Sequence, residues 1–512
     1  VSRLRAQSLR LPAARGAQRA KPGTRAVVIG GGIAGVAAAA VLCERGVHVT
    51  LLEREAELGG RAGSFPYALD DGAQVQMERG FHAFFRQYYN LRALLARVDP
   101  ELRMLLPVDE YPILAPGSVR QTFRDGRGLP ALRVLKTAWR TPHLRVLDLP
   151  HIDGRRALEM LRFDPERTYA DYDGVSADAY LTSLGFPPDA RRVLFDVFAH
   201  SFFNPEREMS AAELLMMFHC YFTGNPEGIV FDVMRAPTGV ALWRPFRRWL
   251  VERSVEVKTG VAAERVVPRA GGGYVVEHAE GHAACDLLVL ALDVSGLRRL
   301  LANGPTLDPD LSRKAARLSV TNPFAVLRLW LDRPLAPERA VFAGTTASGE
   351  LDSIARYDRF QDESAAWAAR SGGAVVELHG YALRLPLDEA AVRADLLAGM
   401  HAHYPETRGA RVVSECFLLR DDCPAFPPSG HAERPTPETA LPDVALAGDF
   451  VRMPFPCALM ERAAASGMLA ANVLLARLGV APEPLRSVPT QGLFAPIHAP
   501  RWARALGSSH AG

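Results

Sequence analysis

The stretch Arg25-Ala26-Val27-Val28-Ile29-Gly30-Gly31-Gly32-Ile33-Ala34-Gly35-Val36, continued by an Ala- and Leu-rich run to Glu44 and then by Val47-His48-Val49-Thr50-Leu51-Leu52-Glu53, decides the fold. A short apolar run, a glycine turn and a helix-forming run read as strand, tight turn and helix, with Gly46 ending the helix and Val47 to Leu52 forming a second strand. Gly30, Gly32 and Gly35 make G-x-G-x-x-G at the point where the strand hands over to the helix. Together with Ile33 and Ala34, they let backbone N–H groups approach a pyrophosphate at the positive helix end. Glu53 closes the second strand about 20 residues on, where a carboxylate accepts hydrogen bonds from both ribose hydroxyls and repels a 2′-phosphate. Arg54 beside it joins the candidate nucleotide site. The expected class is therefore α/β, with a Rossmann-type dinucleotide-binding domain.

Outward from this core, the next residues are Glu55, then Leu58-Gly59-Gly60-Arg61-Ala62-Gly63-Ser64. Far downstream a short apolar strand, Asp443-Val444-Ala445-Leu446-Ala447, ends in Gly448-Asp449, followed by Pro454, Pro456 and a helix from about Ala458. These two blocks together resemble the amine oxidase and carotene desaturase superfamily of flavoproteins. The resemblance implies FAD rather than NAD. It implies that Gly60 passes under the pyrophosphate, that Arg61 neutralises it, and that Gly448, Asp449 and Ala458 belong to the flavin half. A helix N-terminus there would stabilise negative charge on the reduced ring. Val266, after a predicted strand, takes the position where the family lays backbone against adenine, and Ala291 ends a buried strand nearby. Both residues are also what an ordinary buried strand contains.

A narrower resemblance rests on Glu78-Arg79-Gly80-Phe81-His82-Ala83-Phe84-Phe85, Tyr88-Tyr89-Asn90-Leu91, Asn204-Pro205, Pro454-Phe455-Pro456, and Ala458 through Ala463. These are similar to the β-carotene desaturase/methyltransferases, or isorenieratene synthases, over most of residues 25 to 478. That family implies oxidation of the β-rings of β-carotene with migration of a methyl group within the substrate. The chemistry needs a hydride acceptor and an apolar tunnel, and little acid or base machinery. His82 is the candidate catalytic residue, as a proton acceptor or a brace for a cation, with a structural histidine as the equal alternative. The sequence shows no metal-ligand constellation. The terminal electron acceptor implied is a quinone or O2. Three other readings share the fold: another carotenoid desaturase or isomerase, a flavin amine oxidase, and a nonenzymatic binding protein. The last is disfavoured by the intact FAD fingerprint.

Composition sets the remaining bounds. The chain has 512 residues, 48% hydrophobic, with 60 basic and 57 acidic residues, so several structural units are expected and nothing favours nucleic acid. The six cysteines form no CxxC pair, which points to a reducing cytoplasm rather than a disulfide framework. Residues 1–25 are basic without an acid and read as a disordered arm, which allows peripheral contact with an anionic membrane surface. Residues 26–105, 246–300 and 440–478 are assigned to a discontinuous FAD-binding domain. Residues 106–245 and 301–439 are assigned to an α+β substrate domain, and 479–512 to a Pro-rich tail. Within the first of these, Ala73 to Arg97 is expected to be helical and aromatic.

Overall fold

A computed structural model of the chain describes residues 6–12, 16–124, 146–346 and 348–494. At its centre a five-stranded parallel sheet runs in the order Glu256–Thr259, His48–Glu53, Arg25–Ile29, Leu287–Leu290, Val444–Leu446. The strand Arg25–Ile29 sits in the middle, with its successor His48–Glu53 on one side and the later strand Leu287–Leu290 on the other, so a crevice opens at its carboxyl end. The glycine turn and the helix Ile33–Glu44 begin there. That helix is buried on every side, which its small alanines permit, and it crosses the C-terminal helix Leu459–Arg477 closely. A side chain at Gly467 would lie 2.1 Å from the Ala34 carbonyl, so only glycine allows this approach.

A seven-stranded, mainly antiparallel sheet forms the second body. Its order is Val412–Arg420, Phe324–Leu331, Ala374–Gly380, Ser353–Arg356, Phe342–Thr345, Glu110–Ala115, Ser118–Arg124. Strands from 106–245 and from 301–439 thus lie in one sheet. Its central strands are buried on both faces, as their largely apolar sequence requires. Two helical stretches, Pro188–His200 and Ala211–Thr223, each contain a π-helical turn and bring aromatic residues toward the crevice.

Two expectations need correction. Ala73 to Arg97 is not a helix. Gln74–Glu78 pairs as a strand with Ser64–Ala68, Gly80 takes φ +122°, Phe84–Phe85 is a short strand, and only Tyr89–Leu95 is helical. The glycine conformation breaks any helix at residue 80, and Phe81, Phe85 and Tyr88 face a cavity rather than one helical stripe. The basic N-terminal stretch is not free throughout: Gln7–Leu9 pairs antiparallel with Leu485–Ser487, and Leu11 is buried. This pairing also orders part of the Pro-rich tail, whose residues 495–512 lie outside the described residues, as do 1–5 and 13–15. All six cysteines are buried and unpaired.

Candidate functional site

One cavity begins at the carboxyl end of the parallel sheet and continues between the two bodies to the seven-stranded sheet. Its first part is polar, with Gly30, Gly32, Glu53, Arg54, Asp293 and Arg299. Its far part is walled by Phe81, Phe85, Tyr111, Phe198, Phe231 and Phe342. A long amphipathic ligand set, with a nucleotide at one end and a hydrocarbon at the other, matches this division.

The nucleotide end follows directly from the glycine turn. Gly30 has φ +108°, and a Cβ on it would stand 2.3 Å from the Ala291 carbonyl. A Cβ on Gly35 would lie 1.8 Å from the Gly30 carbonyl, so Gly35 is required by the turn packing on the helix rather than by a ligand. Gly32 differs. Its φ of −74° suits any residue, and the nearest protein atom to an added Cβ is the Gly60 Cα at 3.9 Å. Neither backbone strain nor protein packing demands glycine at this cavity wall, and the space left open there would admit a pyrophosphate. Glu53 is buried and accepts hydrogen bonds from the Gly31 N–H at 2.6 Å and the Glu55 N–H at 2.8 Å, which fix the carboxylate at the crevice. Burial raises its pKa above the ordinary value. Arg54 pairs with Glu55 and lies 3.9 Å from Asp293, whose own carboxylate caps the helix Val294–Ala302.

At the middle of the cavity, Arg61 donates to Asp449 at 2.6 Å. Burial opposes the guanidinium charge, but Asp449 beside it more than offsets this and holds the proton on. Gly448, with φ +148°, is tied through its N–H to Ser466 Oγ at 3.0 Å, so the Gly-Asp turn rests on the C-terminal helix. Ala458 is the buried N-cap of that helix and does not face the cavity; Leu459, Met460 and Ala463 do. Val266 is likewise outside the wall. It lies on Ala263–Pro268, in a separate three-stranded sheet, with its side chain in the core, and the wall at this point is Val261, Ala262 and Ala263. A bulge between Ala263 and Arg265 moves the strand off the register that its sequence suggests.

His82 reaches the cavity beside Arg61. Its Nδ1 is buried without a hydrogen-bond partner, the backbone of Arg61 and Gly80 engages the ring, and burial lowers its pKa. Two buried ionic clusters were not foreseen. Glu213 binds Arg434 at 3.0 Å and also Arg462, which in turn donates to the Asp449 carbonyl. Glu377 binds Arg328 and His379, with Glu78 nearby. Each combines residues from distant segments, so no local spacing marks it; the only sequence hint is a charged residue interrupting the apolar strands Phe324–Leu331 and Ala374–Gly380.

The model of the flavin containing amine oxidoreductase family matches residues 33–475. The chain belongs to that family. Its cofactor is accordingly FAD, and the cradle at Gly32 and the Arg61–Asp449 pair fit it. Among curated relatives, a carotenoid phi-ring synthase from Streptomyces griseus is 47% identical over 466 residues, covering 91% of this chain and 90% of the relative. A carotenoid phi-ring synthase from Chlorobaculum tepidum is 27% identical, covering 92% and 91%. This family member is thus a flavin-dependent oxidoreductase. A solved putrescine oxidase variant superimposes with a TM-score of 0.65 at 17% identity, over 89% of this chain and 100% of that one, and shares the fold. No described helix is long and apolar enough to cross a membrane.

Proposed function

We propose that the chain oxidises the β-rings of β-carotene to aromatic rings, with one methyl group migrating within each ring, to give isorenieratene. The observation that carries this reading is the far end of the cavity. Phe81 stacks on Phe342 at 4.3 Å between ring centroids and meets Phe231 edge-on at 5.7 Å, with Tyr111 5.3 Å from Phe342. An aromatic box of this kind accepts a hydrocarbon and stabilises transient positive charge through ring faces. Of the carboxylates on the cavity wall, Glu53, Glu55 and Asp293 stand at the nucleotide end and Asp449, paired with Arg61, at the middle; none is among the aromatic residues of the far part. A cationic amine would lack an anionic partner in the aromatic part, which favours a carotenoid over an amine. The relatives' names, which specify a carotenoid ring, support the ring end as the reacting part.

FAD, when bound, supplies a hydride acceptor. The protein's share is to hold the polyene, exclude water and tolerate a cation. Hydride loss beside the quaternary carbon leaves a vacancy that a 1,2-methyl shift relieves, so no external methyl donor is needed. The electrons leave to a quinone or to O2, and a substrate dissolved in lipid fits peripheral contact with a membrane. Expression in cells that accumulate β-carotene tests the reading. Loss of four hydrogens per converted ring, with all forty carbons kept, is the expected mass. Unchanged β-carotene in the presence of flavin-loaded protein would refute it.

A further inference from the structure

Each dehydrogenation removes a proton as well as a hydride, and the aromatic part of the cavity offers no carboxylate to take it. A connected set of polar groups does reach that wall. Glu377 is fully buried and accepts from Arg328 Nε at 2.7 Å, with the guanidinium Nη2 an ion-pair distance of 2.7 Å from the same oxygen, while its other oxygen lies 2.8 Å from His379 Nε2. Burial would raise this carboxyl, but Arg328 draws it down to about 2, so it is ionised and can only accept. His379 therefore carries its proton on Nε2, facing Glu377. The Phe81 amide also reaches Nε2, at a longer 3.3 Å, and competes poorly with the carboxylate for setting the tautomer. This leaves the lone pair on Nδ1, 3.0 Å from Ser353 Oγ, which is in turn 3.2 Å from the Tyr381 hydroxyl. His379 and Tyr381 both line the cavity.

We propose that Tyr381 takes the proton released by the substrate and passes it through Ser353 to His379, where Glu377 stabilises the resulting imidazolium. The inference rests on the proposed carotenoid dehydrogenation. After the hydride has left with its electron pair and the methyl group has shifted with its own pair, a ring C–H bond breaks and its electrons become the new double bond. The proton joins Tyr381 Oη as the Tyr381 proton moves to Ser353 Oγ and the Ser353 proton moves to His379 Nδ1. The protein gains one proton and the substrate loses one. Tyr381 is the catalytic residue here; Ser353, His379 and Glu377 act through it. Between turnovers the same relay runs backward and the proton leaves to solvent.

Tyr381→Phe and Ser353→Ala, assayed as flavin-loaded proteins in carotene-containing liposomes with rates normalised to bound flavin, decide the point. Each is expected to lower kcat about 100-fold, the lower range of general acid–base catalysis, with KM and flavin content unchanged. The wild type should show a bowed proton inventory in mixed H2O and D2O, because several O–H protons move together, and Ser353→Ala should lose the curvature. Full turnover in both variants, or a fall that appears in KM alone, would overturn the relay. β-Carotene and an acyclic carotene are run side by side. Turnover of the acyclic carotene alone would refute the ring substrate, and the variant-to-wild-type ratios measured on it would still decide the relay.

Discussion

Arg61 Nη2 donates to Asp449 Oδ1 across 2.6 Å, joining residues 388 positions apart in sequence. The pair connects the loop after the second Rossmann strand to the Gly-Asp turn before the C-terminal helix, so the two halves of the nucleotide frame hold one another. Asp449→Ala removes the anion that keeps Arg61 oriented and charged in a buried position. The variant should fold yet purify with little flavin, read as the ratio of flavin to protein absorbance. Flavin content equal to wild type would show that the frame does not depend on the pair.

Gly32 and Gly35 should respond in opposite ways to substitution. Gly32→Val places its side chain where no protein atom stands and should give folded, flavin-free protein with near-normal thermal stability. Gly35→Ala drives a methyl to 1.8 Å from the Gly30 carbonyl and should destabilise the fold itself, seen as a lower Tm of the apoprotein. Full flavin occupancy in Gly32→Val would end the pyrophosphate assignment.

The contrast between those glycines shows what the sequence could and could not reveal. The turn, the helix and Glu53 were legible because strand, glycine spacing and carboxylate follow each other within one local unit. Gly448-Asp449 was legible only as a partner of that unit. Val266 and Ala458 were misplaced by a short distance, since a β-bulge and a helix N-cap each decide which neighbouring residue meets the cavity. Glu377, His379, Ser353 and Tyr381 were missed altogether. Glu377, His379 and Tyr381 alternate along one stretch, but Ser353, which joins His379 to Tyr381, stands opposite His379 on the neighbouring antiparallel strand, and strand pairing is not written in spacing along the chain.

Glu213 gives a pH prediction. Burial would raise its pKa, but Arg434 and Arg462 hold it at about 2, below the ordinary 4.5. The folded state therefore binds this proton more weakly than the unfolded chain does. The stabilisation is complete above pH 4.5 and drains away as pH falls toward 2. Glu213→Gln should flatten that part of the acid-unfolding curve. Glu213→Ala, which leaves two buried guanidinium groups without their shared anion, should cost roughly 3–5 kcal/mol at neutral pH by denaturant unfolding. An unchanged acid limb in Glu213→Gln would show that other carboxylates set it.

His82 tests the division of labour between holding the cofactor and moving the proton. Its Nδ1 is buried from the cavity as well as from bulk water, and the backbone of Arg61 and Gly80 engages the ring, so a substrate in the aromatic box has poor access to that nitrogen. Burial also lowers its affinity for a proton, against the pull of Glu78 and Glu377. A group in this setting braces the Arg61 loop. His82→Ala should weaken flavin retention, measured as release on dilution, while the reaction per bound flavin keeps the bowed proton inventory of the wild type. A variant that keeps its flavin but loses about 100-fold in kcat together with that curvature would make His82 the proton acceptor and displace Tyr381 from the role.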